Sequence, residues 1–244
     1  MPKNFIKGAI CTTKIYGLNI MQLISITVAS RFEDTNLMKD LLERSTFKNI
    51  TGEKGISIGY FDYLTKKTGK AVMLRSDFTI EDEPKKLVIF TIRGSYHAFD
   101  WFVDLELFMP SFLYSIIKYI PIFIKRDSIA EDIITRFMTL PYFLLQKITL
   151  SEVFLEEAYQ EYEKFIKDNE NNLNNINILF CGHSLGGGLS KLLGSKYNQL
   201  SFAVSGVGIS PLENIIKSKY FNRNSKTTYI DVVPDNDLIT RIER

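Results

Sequence analysis

The residues whose types and spacing could do chemistry are Cys181, Gly182, His183, Ser184, Leu185, Gly186, Gly187 and Gly188. They join a short apolar run, Ile176 to Phe180, to a helix-like run, Leu189 to Tyr197. A serine between a buried strand and a helix, with a glycine two residues to either side, has the pattern of a nucleophile elbow. In such a turn the serine takes a strained backbone conformation and its hydroxyl projects into a cleft. Gly182 and Gly186 occupy the positions where a Cβ would collide across the turn. The helix beyond offers the Leu185 N–H to a developing oxyanion, together with the positive end of its macrodipole. Glycines of this kind also cradle phosphate, but the Lys-Ser/Thr pair that closes a P-loop is missing. A helix start that is glycine-rich only for close packing would account for the glycines and leave the serine unexplained.

The Gly182 to Gly187 stretch, Gly-His-Ser-Leu-Gly-Gly, resembles the class 3 lipases, the fungal-lipase-like branch of the α/β hydrolases. Two more stretches are similar in the same order. Leu87 to Asp104 looks like that family's strand, Arg-Gly-Thr/Ser oxyanion turn and Asp-Trp motif, and Val232 to Ile242 looks like its last catalytic strand and acid loop. The resemblance covers most of Ile56 to Ile242. It implies Ser184 as nucleophile, Asp237 as the acid of the triad, and Ser95, after Arg93 and Gly94, as an oxyanion donor beside Leu185. It also implies hydrolysis of a lipid carboxylic ester, a triacylglycerol or related acylglycerol, without a cofactor. Asp100, Trp101 and Asp104 read as structural, with the indole inward and the carboxylates capping or pairing with Arg93.

Histidine is the difficulty. In this fold the triad follows the order serine, acid, histidine, and Leu238 to Arg244 holds no histidine. The whole chain has two, His97 and His183, and His183 belongs to the elbow motif in the resembling enzymes. Three readings fit. The base lies beyond Arg244 or on another polypeptide; the chain is a degenerate relative that binds lipid or a protein partner; or an unconventional base such as His97 serves.

The elements that must position these residues follow from composition and periodicity. With 244 residues, 45% hydrophobic and 13% aromatic, the chain suits one domain with a sizeable core. A net charge of +2 with scattered basic residues gives no sign of a nucleic-acid partner. Two separated cysteines, Cys11 and Cys181, make no disulfide framework and mildly favour an intracellular protein; with two separated histidines they form no metal-ligand cluster.

Residues 1–50 read as an N-terminal extension and helix. Within it Ile15 to Ala29 is expected to pack on the core as helix or strand, since Asn19, Gln22, Ser25 and Thr27 interrupt it as a signal or spanning segment. Asp34 is the expected cap of an amphipathic helix running to Arg44. Ile56 to Leu64 and Ala71 to Arg75 read as a hairpin, Leu87 to Ile92 as a central strand, and Ser151 to Asp168 as a helix capped by Ser151. Asp168 to Asn175 reads as a loop, Phe202 to Val207 and Thr227 to Val233 as parallel strands, and Glu213 to Lys219 as a short helix. The expected fold is therefore α/β, an α/β-hydrolase-type doubly wound, mostly parallel sheet with helices on both faces and the site at the strands' carboxyl ends. Residues 105–150, with Phe108, Phe112, Tyr114, Tyr119 and Phe123, read either as a lid that touches a membrane or lipid-droplet surface or as a pair of buried helices.

Overall fold

The computed structural model describes residues 13–30, 34–43, 55–64, 73–94, 150–206 and 228–233. The expected lid at 105–150, apart from Leu150, and the helix expected at Glu213 to Lys219 lie outside these. Six strands form one mixed sheet in consecutive order: β3 (Ile56–Tyr63), β4 (Met73–Ile80), β5 (Lys86–Ile92), β6 (Ile176–His183), β7 (Leu200–Val204) and β8 (Tyr229–Val232). The pairings from β3 to β5 are antiparallel and those from β5 to β8 are parallel. The hairpin, the central strand and the parallel half thus stand as expected, though the strand expected at Phe202 to Val207 starts at Leu200 and ends at Val204.

The expected α/β fold with a mostly parallel sheet stands, as a mixed sheet of six described strands. Among the described residues the strand order never reverses, so the crossover helices do not alternate between faces about a switch point. Both faces are nevertheless covered, by two unrelated sets of helices. On one face α3 (Leu150–Asp168) and α4 (Leu185–Tyr197) meet Val88, Phe90, Ile92, Ile178 and Phe180. On the other, α1 (Ile20–Ala29) and α2 (Thr35–Leu41) meet Leu87, Ile89, Leu179, Cys181 and Phe202. Alternation along β5 and β6 sends successive side chains to opposite cores, which is why both strands are apolar nearly throughout.

Local chemistry sets the ends of the elements. The stretch expected as one element from Ile15 to Ala29 divides in two, because Tyr16 and Gly17 both take positive φ, 48° and 84°, and turn a short hairpin of β1 (Lys14–Ile15) with β2 (Leu18–Asn19). Asn19 then caps α1 through a reciprocal box: its side chain accepts from the Gln22 N–H at 2.9 Å, and Gln22 Oε1 accepts from the Asn19 N–H at 2.8 Å. The Tyr63 hydroxyl donates to the Ser30 carbonyl at 2.6 Å and pins the far end of α1 to β3. Asp34 caps α2 as expected, accepting from Leu37 N–H at 2.9 Å. The loop expected before β6 contains a 3-10 turn, Glu170–Asn175, and the expected cap at Ser151 lies outside the described side chains.

An aromatic cluster binds α3 to the sheet. Phe90 lies edge-on to Tyr162 and Phe165, with centroids 5.4 and 5.1 Å away, and Tyr162 also meets Phe180 at 5.0 Å. Burial pushes the Tyr162 phenol well above its ordinary pKa, so it stays neutral at any working pH. Phe90→Ala should lower unfolding free energy by about 3–5 kcal/mol, read from urea denaturation with an unchanged m-value.

Candidate functional site

β6 ends at His183 and α4 begins at Leu185, so a single residue, Ser184, makes the turn from strand to helix. Its backbone has φ 55° and ψ −122°, a conformation that a side chain with a Cβ rarely adopts. Surrounding structure holds it there. The Ser184 N–H donates to the Val204 carbonyl at 3.0 Å, and the Ser184 carbonyl accepts from Gly187 and Gly188 N–H at 2.9 and 3.2 Å. The Ser184 side chain makes no capping bond, unlike an ordinary N-cap serine. Its hydroxyl is thus not spent on the helix it begins.

The glycines around it are required by close approach of backbones. A Cβ on Gly182 would stand 2.0 Å from the Gly186 carbonyl oxygen, and one on Gly186 would stand 2.2 Å from the Ile92 carbonyl oxygen. The first turn of α4 therefore lies directly across the end of β5. The N–H groups of the first helical turn lack partners inside their own helix. With Gly187 and Gly188 turned back onto Ser184, Leu185 and Gly186 present theirs at the helix mouth without a backbone acceptor among the described residues.

The parallel register brings the neighbouring segments to the same level. Ile92 pairs with Gly182, His183 with Val204, and Val204 with Val232, so β5, β6, β7 and β8 end side by side. Gly94 approaches the elbow: a Cβ there would lie 2.7 Å from the His183 carbonyl oxygen and 3.2 Å from His183 Nδ1. The turn that leads to Ser95 is thereby brought against the end of β6. Ser95, His97 and Asp237 themselves lie outside the described residues, so of the sequence-expected site the structure describes Ser184 and Leu185. His183 is half-buried, with its ring beside Gly94.

Two features at this end of the sheet escaped the sequence reading. Ser205, the residue after β7, is buried and takes φ 51° while its N–H donates to the Val232 carbonyl at 3.0 Å. Lys191, in the middle of α4, is 4% exposed, and its ammonium donates to Asp231 Oδ2 at 2.7 Å. The signal for the second was a single lysine inside a helix otherwise built of Leu, Gly and Ser up to Ser195. Cys181, one residue before Gly182, is fully buried on the opposite face. Burial pushes its thiol pKa far up, against a smaller opposing pull from the Thr27 hydroxyl. Cys11 lies outside the described residues. Among those residues no group of acidic, histidine or cysteine side chains could hold a metal ion, and no helix is long and apolar enough to cross a membrane.

The arrangement puts the Ser184 side chain and the Leu185 N–H at one turn, at the carboxyl end of β6. Two outcomes check the geometry. Gly186→Ala should cost about 3 kcal/mol or more in stability, because the clash is with backbone and no side chain can move to relieve it. In the folded chain the protonated, buried Cys181 should resist a disulfide reagent at pH 8 and react in guanidinium, followed by peptide mass analysis.

With this geometry in place, comparison with known proteins adds the following. A family model described as Lipase (class 3) matches residues 89–244. A solved structure of a fungal lipase–inhibitor complex is similar at 13% identity with a TM-score of 0.35, over 91% of this chain and 74% of that one. No curated protein matches.

Proposed function

Because the chain belongs to the class 3 lipase family, we propose that it is a lipase/esterase-type serine hydrolase that cleaves carboxylic esters of lipids, triacylglycerols or related acylglycerols. The single observation that carries this reading is the strained turn at Ser184, with φ 55° at the mouth of α4 and a side chain left out of helix capping. Strain of this kind is kept where surrounding packing enforces it and the reaction uses it.

In the proposed reaction the Ser184 hydroxyl oxygen bonds to the ester carbonyl carbon while its proton passes to a base. The carbonyl oxygen, now an oxyanion, accepts from the Leu185 N–H and from Ser95. Collapse of the tetrahedral species breaks the bond to the alcohol, which leaves with the proton, and water then releases the fatty acid by the same steps. Asp237 orients the base. Residues 105–150 supply the apolar surface for the acyl chain and for contact with a membrane or lipid droplet. No cofactor takes part in this scheme.

The two histidines of the chain bear on which group serves as base. His183 lies at the end of β6 beside Gly94, and the base is then a histidine beyond Arg244 or on another polypeptide, or His97 as a substitute. The same shortage supports a second reading, a catalytically impaired relative that binds lipid or a protein through the same cleft.

The test is the intact mass of the chain after exposure to a fluorophosphonate, with ester hydrolysis measured in parallel. One adduct is expected, absent in Ser184→Ala, with kcat lowered about ten-thousand-fold or more in that variant. A well-folded chain that takes up no adduct would overturn hydrolysis by these 244 residues alone; lipid affinity unchanged by Ser184→Ala, with no activity regained on adding a C-terminal segment that carries a histidine, would establish the binding reading. His97→Ala then reports where the proton goes.

A further inference from the structure

The structure joins the helix that follows Ser184 to β8 through an ion pair between a buried lysine and a partly exposed aspartate, and its role goes beyond holding the fold. α4 lies against β7 along small residues. A Cβ on Gly187 would stand 2.6 Å from the Gly206 Cα, and one on Gly194 would stand 1.9 Å from Ser201 Oγ. Ser201 Oγ in turn donates to the Ser190 carbonyl at 2.9 Å. On this close-packed seam Lys191 has the one long side chain between Gly187 and Gly194 that points to β8, its stem buried and its ammonium delivered past the end of β7.

There the ammonium meets three groups from two other segments. It donates to Asp231 Oδ2 at 2.7 Å and to the Gly206 carbonyl at 3.3 Å, and it sits 5.2 Å from the centroid of the Tyr229 ring. Asp231 Oδ1 also accepts from the Gly206 N–H at 3.2 Å. One carboxylate therefore binds the nucleophile helix and the residue that follows Ser205 at once. β8 is the last strand of the described sheet and is only half-buried, with four residues and a single strand neighbour. Its ladder with β7, the Ser205 N–H to Val232 bond and the packing of Ile230 and Val232 hold it to the sheet; the Lys191–Asp231 pair ties it to α4 as well.

We propose that Lys191 is a positioning residue: through Asp231 it clamps β8, the strand that precedes Asp237 in the chain, against the helix that follows Ser184. The inference rests on the hydrolase reading for its effect on rate, whereas the clamp itself does not. Lys191 is seven residues beyond Ser184, about 10 Å along a helix, so it acts through Asp231 and does not touch the reacting atoms.

Two readouts separate the clamp from a general contribution to stability. Lys191→Met removes the charge and keeps most of the buried stem. Lys191→Met with Asp231→Leu removes both charges, a replacement that commonly preserves or raises stability, and serves should the single variant fail to fold. Amide exchange of Ser205, Gly206 and β8 should quicken by about tenfold or more in these variants, with β5 and β6 unchanged. In the same variants kcat should fall by about tenfold or more with KM within about twofold, and Lys191→Arg should recover more of the rate than Lys191→Met.

Exchange that is unchanged, or that rises equally in every strand, overturns the clamp. Local quickening with an unaltered kcat overturns its role in positioning the acid. A wild-type chain that hydrolyses no ester and takes no fluorophosphonate overturns the hydrolase reading and with it the positioning role, while the exchange measurement still decides the clamp.

Discussion

The structure depends on how closely the first turn of α4 can lie on the ends of β5 and β6. Backbone meets backbone there: the Gly186 Cα stands over the Ile92 carbonyl, and the Gly182 Cα over Gly186. This approach forces the chain to reverse within one residue, and that residue is Ser184 with positive φ. Side-chain hydrogen bonding would ease an ordinary helix start, whereas here Ser184 is fixed by its own backbone bonds to Val204, Gly187 and Gly188. Strain at the elbow and a side chain left out of helix capping are thus two consequences of a single packing constraint.

A turn this tight needs rigid supports, and the sheet provides them through burial on both faces. β5 and β6 direct Phe90 and Phe180 into one core and Ile89 and Leu179 into the other, so neither strand can shift register without moving every side chain to the wrong face. The two cores have different origins. Crossover helices fill the first, while the second is closed by helices that precede the sheet in the chain and are held by the Asn19–Gln22 box and the Tyr63 to Ser30 bond. The consecutive strand order follows: a second covering face is needed, and N-terminal helices provide it without any reversal of the sheet.

At each end of the sheet one buried charged side chain meets partly exposed partners, in opposite relation to the elbow. Far from it, Asp77, 2% exposed, accepts from Arg75 Nε and Nη2 at 2.8 Å each and from Lys86 at 2.7 Å. The Arg75 guanidinium is itself layered between Tyr60 and Phe165, at 4.8 and 4.7 Å from their ring centroids. Near the elbow, Lys191 and Asp231 pair between helix and edge strand. Buried ion pairs contribute little net stability compared with apolar replacements of the same volume, so their value lies in the relative placement of segments that hydrophobic contact alone would leave free to slide.

Much of this arrangement was legible in the residues themselves. Apolar runs located β5 and β6, the Asp34 cap located α2, and the Gly-x-Ser-x-Gly spacing located the elbow, because each depends on neighbours within a few positions. Long-range choices were not legible. Periodicity gives an apolar strand no partner and no neighbour order, so the consecutive order of the sheet could not be read from it. The pairing of Lys191 with Asp231 was not legible, since forty residues separate them and the seam of α4 on β7 brings them to 2.7 Å. Sequence by itself determined the elements and the turn that holds Ser184, which are local backbone and burial preferences. Tertiary structure decided which strands lie side by side and which charges meet, because those depend on contacts between segments far apart in the chain.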